Sequence, residues 1–388
     1  MNKKMIVYIL GKMMNREDII VAIHGQDNGV GGRYNVLASF VHALTQGFRQ
    51  IGVNAMTTQE CVENNKTPNL AIAFNASGLP LWQKILNNNI PNIMWACDSV
   101  FYQNLELVQQ FSSYQNFILF NSCSDDTKAL QHYLPTLVHG YIPGGTDLDF
   151  WKKQDVEKDL DITFFGSIDD PDAMIQKLKD TMPDLVFKLM MNFCDVALAN
   201  PDLSLWHISQ IFNKQADIVL DMEQYHLISK SISYIITYKQ RIKMIQALKD
   251  FNVTIFGEGP WEKFAQGKIK VVSGGDVKDT VNLMNRSKIT LNSHPFHLAG
   301  GIHDRVLNAS AVETMLLCGR EKTVNAEFGD TIAYCNPVTY EDIAQKADYF
   351  LTHEDERQQK ALDASKIVKA KHKWSDRAQS IMDIIDIR

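Results

Sequence analysis

The chain has 388 residues, 45% of them hydrophobic and 22% charged, with a formal net charge of −6. That length accommodates two domains, and the composition excludes a disordered or fibrous chain. The acidic balance excludes a global attraction for nucleic acid or anionic membrane, though it says nothing of local patches.

The opening MNKKMIVYILG has a basic start, but its apolar run is short and reads as a first strand more than a signal peptide. No stretch approaches the roughly 20 apolar residues of a membrane span. The six cysteines (Cys61, Cys97, Cys123, Cys194, Cys318 and Cys335) lie far apart with no CxxC pair, several of them inside apolar runs. They read as reduced core residues, and neither a zinc site nor a disulfide frame is indicated. The expectation is a cytoplasmic protein.

From Ile19 the chain reads strand, glycine-rich loop, helix, turn, strand. Ile19–Ile23 is a buried-strand run; Leu37, Phe40, Val41, Leu44 and Phe48 then fall at helical spacing, and Gly52 closes the helix before Val53–Met56. Short apolar runs follow at 70–74, 93–96, 117–120 and 137–141, with helical stretches around 80–87 and 104–111. Such alternation predicts a parallel sheet covered on both faces. The segment 142–161, with Pro, paired Gly and a dense charge run, predicts an interdomain linker. A second βα series then opens at ITFFGS (162–167) and continues through VTIFGEGPW (253–261), IKVVSGGDV (269–277) and KITLNSHP (288–295). The long helical stretch between Ser167 and Gln240 exceeds an ordinary βα connection and reads as an inserted layer. At the end, Ser375 is the expected cap of a helix with an apolar stripe of Ile381, Ile384 and Ile385. Three parts are therefore expected: 1–150, 151–370 with a helical insert at about 170–240, and a terminal helix, 371–388, packing back on the first part.

The segment 292–319, NSHPFHLAGGIHDRVLNASAVETMLLCG, places His303, Asp304 and Arg305 where a helix should begin. A cation in a first helical turn opposes the macrodipole. The conflict disappears if an anion sits there, bound by the helix start and the guanidinium together. The bland alternative is a surface pair of Arg305 with Asp304. Gly300-Gly301 favours a ligand, since paired glycines allow close backbone approach.

Four stretches carry a resemblance: DNGVGGRYNVLASFVHALTQGFRQIG, HGYIPGGTDLDFW, ITFFGS and GIHDRVLNAS, with KWSDR near the end. Together they resemble GT-B glycosyltransferases of group 1, and GIHDRVLNAS is similar to the corresponding segment of the CgeB-like branch. The resemblance implies two Rossmann-like βαβ domains facing a cleft, with the helical insert in the second. It implies a nucleotide-sugar donor, most simply a UDP- or GDP-sugar, held mainly by the second domain. No metal and no separate cofactor is expected, because helix starts and basic side chains neutralise the diphosphate. Carried over, it makes Gly166, Ser167, Gly300, Gly301 and Arg305 diphosphate contacts, with His303 and Asp304 beside them. Gly257, Glu258 and the loop at His294 lie near the nucleoside, and Arg241 or Lys243 supplies a further cation. Asn308 stands where the family has a ribose-binding Glu, and Asn bonds a diol more weakly because it is neutral. Glu313 is an alternative ribose acceptor.

An inverting enzyme also needs a base for the acceptor proton. Asp27, in the loop with Gly29, Gly31 and Gly32, is one candidate on the acceptor side; His24 and Asp98 occupy equivalent strand-end positions, and His139 is a weaker one. Each has a structural reading too, Asp27 above all as a turn residue. The acceptor is expected to be a protein, a surface or lipid-linked glycan, or a small molecule, with no nucleic acid and no membrane span; an oligomer is compatible. A NAD-dependent oxidoreductase is disfavoured because GVGG and GEGPWE both lack the G-x-G-x-x-G spacing. Two rivals stay open: a non-catalytic sugar-nucleotide-binding protein or partner subunit of a transferase, and a nucleotide-sugar epimerase.

Overall fold

The computed structural model describes residues 16–24, 36–75, 90–102, 105–112, 114 and 116–385. The expected first strand near the amino terminus and the helical stretch around 80–87 fall outside them. The chain divides into two compact units, Met1–Asp147 with Lys371–Arg388, and Leu148–Ala370.

In the first unit, β1 (Ile20–His24), β2 (Asn54–Thr57), β3 (Leu70–Phe74), β4 (Asn92–Ala96), β5 (Phe117–Asn121) and β6 (Val138–Tyr141) form one sheet in the order β2-β1-β3-β4-β5-β6. All five pairings are parallel. β3, β4 and β5 are buried at every position, as continuous apolar runs covered on both faces should be. Helix α1 (Val36–Gln50) lays Val41, Leu44 and Phe48 into that core. Two short helices, α2 (Thr58–Glu63) and α4 (Asp126–Tyr133), and α3 (Leu105–Ser112) complete the described part of this layer.

The last helix of the chain, α14 (Trp374–Ile384), belongs to this unit and packs on α1. A Cβ on Gly47 would lie 2.7 Å from the Trp374 carbonyl, so the two helices meet backbone to backbone. Trp374 stands edge-on to Phe74 (6.0 Å, 87°) and to Trp95 (5.6 Å, 63°). Ile381 and Ile385 are buried and Ile384 partly so. The expected cap Ser375 is instead inside the first turn, and Lys373 occupies the cap position. Pairing of Thr146 with Lys373 holds that residue extended, and Thr146 N–H donates to the His372 carbonyl at 2.8 Å, which fixes where the helix can start.

The second unit carries β7 (Leu160–Phe165), β8 (Val253–Phe256), β9 (Lys270–Val272), β10 (Ser287–Asn292), β11 (Met315–Gly319) and β12 (Ala333–Cys335), ordered β12-β11-β10-β7-β8-β9. These pairings are parallel as well. Between β7 and β8 lie α5 (Pro171–Thr181), α6 (Asp184–Ala199), α7 (Leu205–Ala216) and the 25-residue α8 (Met222–Gln246). β9 is shorter than the expected run at 269–277, because Asp276 caps α9 (Val277–Arg286) in a capping box with Asp279. Helices α10 (Asp304–Ala311), α11 (Lys322–Phe328), α12 (Ile343–Thr352) and α13 (Glu354–Lys371) follow. Apolar clusters cover both sheet faces: Ile162, Phe164, Ile289 and Leu291 pack under α8 and α12, and Phe165, Leu316 and Cys318 under α10.

Candidate active site

β7 and β10 are neighbours from which the chain departs in opposite directions across the sheet. In open α/β sheets such a switch point leaves a crevice outside the carboxyl ends of the strands, where ligands bind. β7 ends in Phe165, followed by Gly166-Ser167, and β10 ends in Asn292.

Gly166 is crowded. A Cβ there would stand 3.1 Å from the Phe164 ring and 3.3 Å from Arg305 Nη2. Its carbonyl accepts from Trp261 Nε1 at 2.9 Å, and a Cβ on Gly257 would lie 2.0 Å from that same oxygen. Ser167 Oγ accepts from Glu258 N–H at 2.9 Å. The loops after β7 and β8 are thus bound together by Gly166, Ser167, Gly257 and Glu258, whose own side chain is exposed.

Two arginines converge here. Arg241, on α8, donates from Nη1 to the Ser167 carbonyl at 2.7 Å, and its buried Nε has no partner. Arg305, in the first turn of α10, donates from Nη1 to Asn292 Oδ1 at 3.3 Å. Their guanidinium carbons lie 5.9 and 5.1 Å from the centre of the Phe164 ring. Each residue is only 9% exposed. Burial, then the neighbouring Arg305, pushes the Arg241 pKa down to about 10, so it stays charged at neutral pH. Two like charges thus lie near one aromatic ring in a largely desolvated crevice, with the Asp304 carboxylate acting on Arg241 from nearby.

His303, at the cap of α10, places Nδ1 3.1 Å from Asn292 Oδ1 and Nε2 3.3 Å from Asp304 Oδ1. Burial, and then Arg305 and Arg241, hold its pKa well below the usual range. The ring is neutral; both nitrogens face oxygens that can only accept, and the hydrogen-bonded contact, 3.1 Å to Asn292 Oδ1, places its proton on Nδ1. Asp304 Oδ1 also accepts the Arg305 N–H at 2.8 Å. Gly300 adopts φ +73°, a conformation that favours glycine, while the Gly301 N–H is taken up by the Leu298 carbonyl at 2.8 Å. Asn308 is one turn into α10 and buried.

Other expected residues lie elsewhere. Lys243 is exposed and donates to the Val338 carbonyl at 2.5 Å. Two positions beyond Arg241 on one helix is a rotation of about 200°, so the two cannot share a face. Glu313 has φ +56° and pairs with Lys153 at 2.8 Å and Lys369 at 3.0 Å, at the opposite end of α10 from Arg305. His294 donates from Nε2 to the Leu298 carbonyl at 3.0 Å. In the first unit, His24 ends β1 and is buried, Asp98 follows β4 half-buried, and His139 sits inside β6 with its pKa lowered by burial. Asp27, Gly29, Gly31 and Gly32 lie outside the described residues. Among the described residues no three His, Cys, Asp or Glu side chains gather as a metal-binding set.

Sequence reasoning missed Asn292, Phe164 and Trp261, which organise the arginines and the Gly166 turn. Asn292 carried a readable signal: a lone amide ending an apolar strand. It also missed Asp126, a buried carboxyl that accepts from the Val100 N–H at 3.0 Å just past Asp98.

Residues 239–383, which include both arginines, match the family model described as glycosyl transferase-like. Solved structures resemble 95% of the chain. Phage T4 β-glucosyltransferase superposes with a TM-score of 0.57 at 11% identity over 95% of this chain and 100% of its own. Sucrose-phosphate synthase from Thermosynechococcus elongatus gives 0.57 at 9%, over 95% and 98%. The Anabaena protein HepE gives 0.54 at 9%, over 95% and 99%. The chain has the GT-B fold of glycosyltransferases. In GT-B terms, the crevice at Gly166, Asn292, Arg241 and Arg305 lies in the second of the two Rossmann-like units. No curated protein matches the sequence.

Proposed function

We propose that this chain is a glycosyltransferase that uses a nucleotide-sugar donor, a UDP- or GDP-sugar, within the CgeB-like branch. The observation that carries the reading is the convergence of two buried guanidiniums, Arg241 and Arg305, on one aromatic ring at the switch point of the second sheet. Charge develops on the leaving diphosphate in glycosyl transfer, and fixed donors in a dry crevice stabilise it without reorganisation. The Arg305 and Arg241 guanidiniums would face the phosphate oxygens, with the start of α10 adding its dipole. Gly166 leaves room for this because it carries no Cβ. Neutral His303 adds no further charge and holds Asn292, which orients Arg305. Asn308 would bind the ribose. This charge complement lets the diphosphate be neutralised without a metal ion, in a cytoplasmic enzyme.

The solved structures that share the fold include one of the T4 enzyme BGT in complex with its UDP-glucose substrate and one of an α-glucosyltransferase with UDP and DNA. For this chain, the net charge of −6 favours a protein, glycan or small-molecule acceptor over nucleic acid. One observation favours a second reading, a non-catalytic sugar-nucleotide binder: a neutral Asn308 in place of the family's Glu.

The test is a thermal-shift and calorimetric screen of UDP-, GDP-, dTDP-, ADP- and CMP-sugars, with Arg305→Ala and Arg241→Ala beside the unaltered chain. Ligand that binds only the folded state raises the melting temperature. One nucleotide series should raise it, and both variants should lose the effect. No shift with any nucleotide, in folded protein, overturns the reading; binding without turnover or hydrolysis selects the non-catalytic one.

A further inference from the structure

Past the end of β10, the chain leaving β7 keeps a neighbour on one side only. On the β8 side the ladder runs on: Gly166 N–H donates to the Phe256 carbonyl at 3.0 Å, and Ile168 N–H to the Glu258 carbonyl at 3.1 Å. Backbone groups of successive extended residues point to opposite edges, so those of Ser167 face the β10 side. There β10 has already ended, at Asn292. Arg241 Nη1 takes the Ser167 carbonyl at 2.7 Å. The Ser167 N–H has no partner among the described residues, and Ser167 is exposed.

The peptide that carries this N–H is held from its other end. The Gly166 carbonyl accepts from Trp261 Nε1 at 2.9 Å, and Trp261 is completely buried, edge-on to Phe164 (5.7 Å, 75°). Glycines let the β8 loop lie close enough for that bond. A Cβ on Gly257 would stand 2.0 Å from the Gly166 oxygen, and one on Gly259 would stand 1.7 Å from the Ile168 oxygen. A trans peptide sets its C=O and N–H in opposite directions, so a carbonyl fixed towards Trp261 fixes the Ser167 N–H away from it. Both guanidiniums adjoin this peptide: a Cβ on Gly166 would lie 3.3 Å from Arg305 Nη2, and Arg241 grips the next carbonyl. A carbonyl that accepts a hydrogen bond also makes its own peptide N–H a stronger donor.

A buried indole ordinarily finds an acceptor for its N–H, and that alone would make Trp261 a core residue. What sets Trp261 apart is the acceptor, a peptide whose other end opens beside two cations. We infer that Trp261 is a positioning residue for anion binding. Its indole N–H locks the 166–167 peptide, so that the Ser167 N–H joins Arg241 and Arg305 as a third fixed donor to phosphate. The inference rests on the nucleotide-sugar reading above. Donors that need no reorganisation are the ones that stabilise charge developing on a leaving group. A peptide free to flip would present its carbonyl oxygen to the anion instead.

Gly-Ser occurs once in the chain, so isotopic labelling of glycine carbonyl carbons and serine nitrogens gives one NMR cross-peak that reports both ends of this peptide. Saturating the unaltered chain with UDP, GDP, dTDP or ADP should move that amide proton downfield, as a hydrogen bond to phosphate does. Trp261→Phe keeps an aromatic ring against Phe164 and removes the N–H; Trp261→benzothienylalanine removes the N–H and keeps the indole shape as well. Either should move the carbonyl carbon upfield in the free protein and shrink the ligand-induced amide shift. Either should also raise the Kd of the nucleoside diphosphate about tenfold while leaving that of its nucleoside unchanged. Equal weakening of nucleoside and diphosphate, with a lowered melting temperature, would make Trp261 merely structural and overturn the inference. So would an amide proton that stays in place at saturation, or a benzothienylalanine protein that binds the diphosphate as tightly as the unaltered chain; in both cases the nucleotide reading stands. If none of these nucleotides binds the unaltered chain, the nucleotide reading fails first and this one with it.

Discussion

Arg305 Nη1 and Asn292 Oδ1 lie 3.3 Å apart, and that amide oxygen also accepts from His303. One strand-end amide therefore aims a buried cation that the helix dipole alone would repel. Asn292→Ala should weaken nucleotide binding by about 1–2 kcal/mol, roughly 5- to 30-fold, because Arg305 loses its orientation and His303 Nδ1–H its acceptor. Calorimetric titration checks this, and an unchanged affinity would remove Asn292 from the site.

The turn at Gly166 depends on Gly257. Gly257→Ala drives a methyl against the backbone carbonyl of Gly166, which cannot swing away as a side chain would. A loss of about 1–3 kcal/mol is expected, with a weaker nucleotide response. Gly144, where an added Cβ meets nothing within 4 Å, is the matched control and should tolerate Ala. Chemical denaturation of both variants decides the point; equal stabilities would contradict the crowding.

The two ribose candidates separate cleanly. The Glu313 carboxylate is held between Lys153 and Lys369, so Glu313→Gln should leave nucleotide affinity unaltered. Asn308→Ala, on the buried face of α10, should lower it by about tenfold, the loss expected for one hydrogen-bonded hydroxyl. The reverse pattern would move the ribose to the other end of the helix.

Asp126 gives the first unit a pH dependence. Burial raises its pKa from 3.8 to about 7, partly offset by hydrogen bonds from Ser99 and Val100. The folded chain thus holds a proton that the unfolded chain releases near pH 4, so this carboxyl destabilises the fold progressively as pH rises from about 4 to about 7. Asp126→Asn can still accept from Val100. It should flatten that slope and be the more stable protein at pH 8, in denaturation curves collected across pH. Parallel curves would place the carboxyl in a wetter setting.

Chelation provides another check. With two guanidiniums at the diphosphate position, nucleotide binding should be unaffected by EDTA. A loss of affinity that added magnesium restores would contradict metal-free neutralisation.

Much of the fold was legible because period carries far: buried runs such as LAIAF and FILFN, and the spacing of Val41, Leu44 and Phe48, announce strands and a helix whatever surrounds them. The oddity of Arg305 was legible too, since a cation in a first turn breaks a local rule. Legibility failed where tertiary contacts decide. Arg241 and Lys243 look equivalent in sequence, yet about 200° of helical rotation parts them. Ser375 has the right chemistry for a cap, but the pairing of Thr146 with Lys373 sets the helix start one residue before it. Asn292 draws its importance from a loop that folds His303 and Arg305 back onto it, and Asp126 from burial against Ser99 and Val100, neither of which periodicity reveals.

The return of α14 to the first unit has a consequence for biosynthesis. Trp374 fills the centre of an aromatic group built by Phe40, Phe74 and Trp95, all made long before it. On the ribosome the first sheet must therefore wait, with part of its apolar face uncovered, until the whole second unit has been translated. The later-made unit is free to finish first. A nascent chain halted before Trp374 should expose that aromatic face to chaperones even after the arginine crevice has formed.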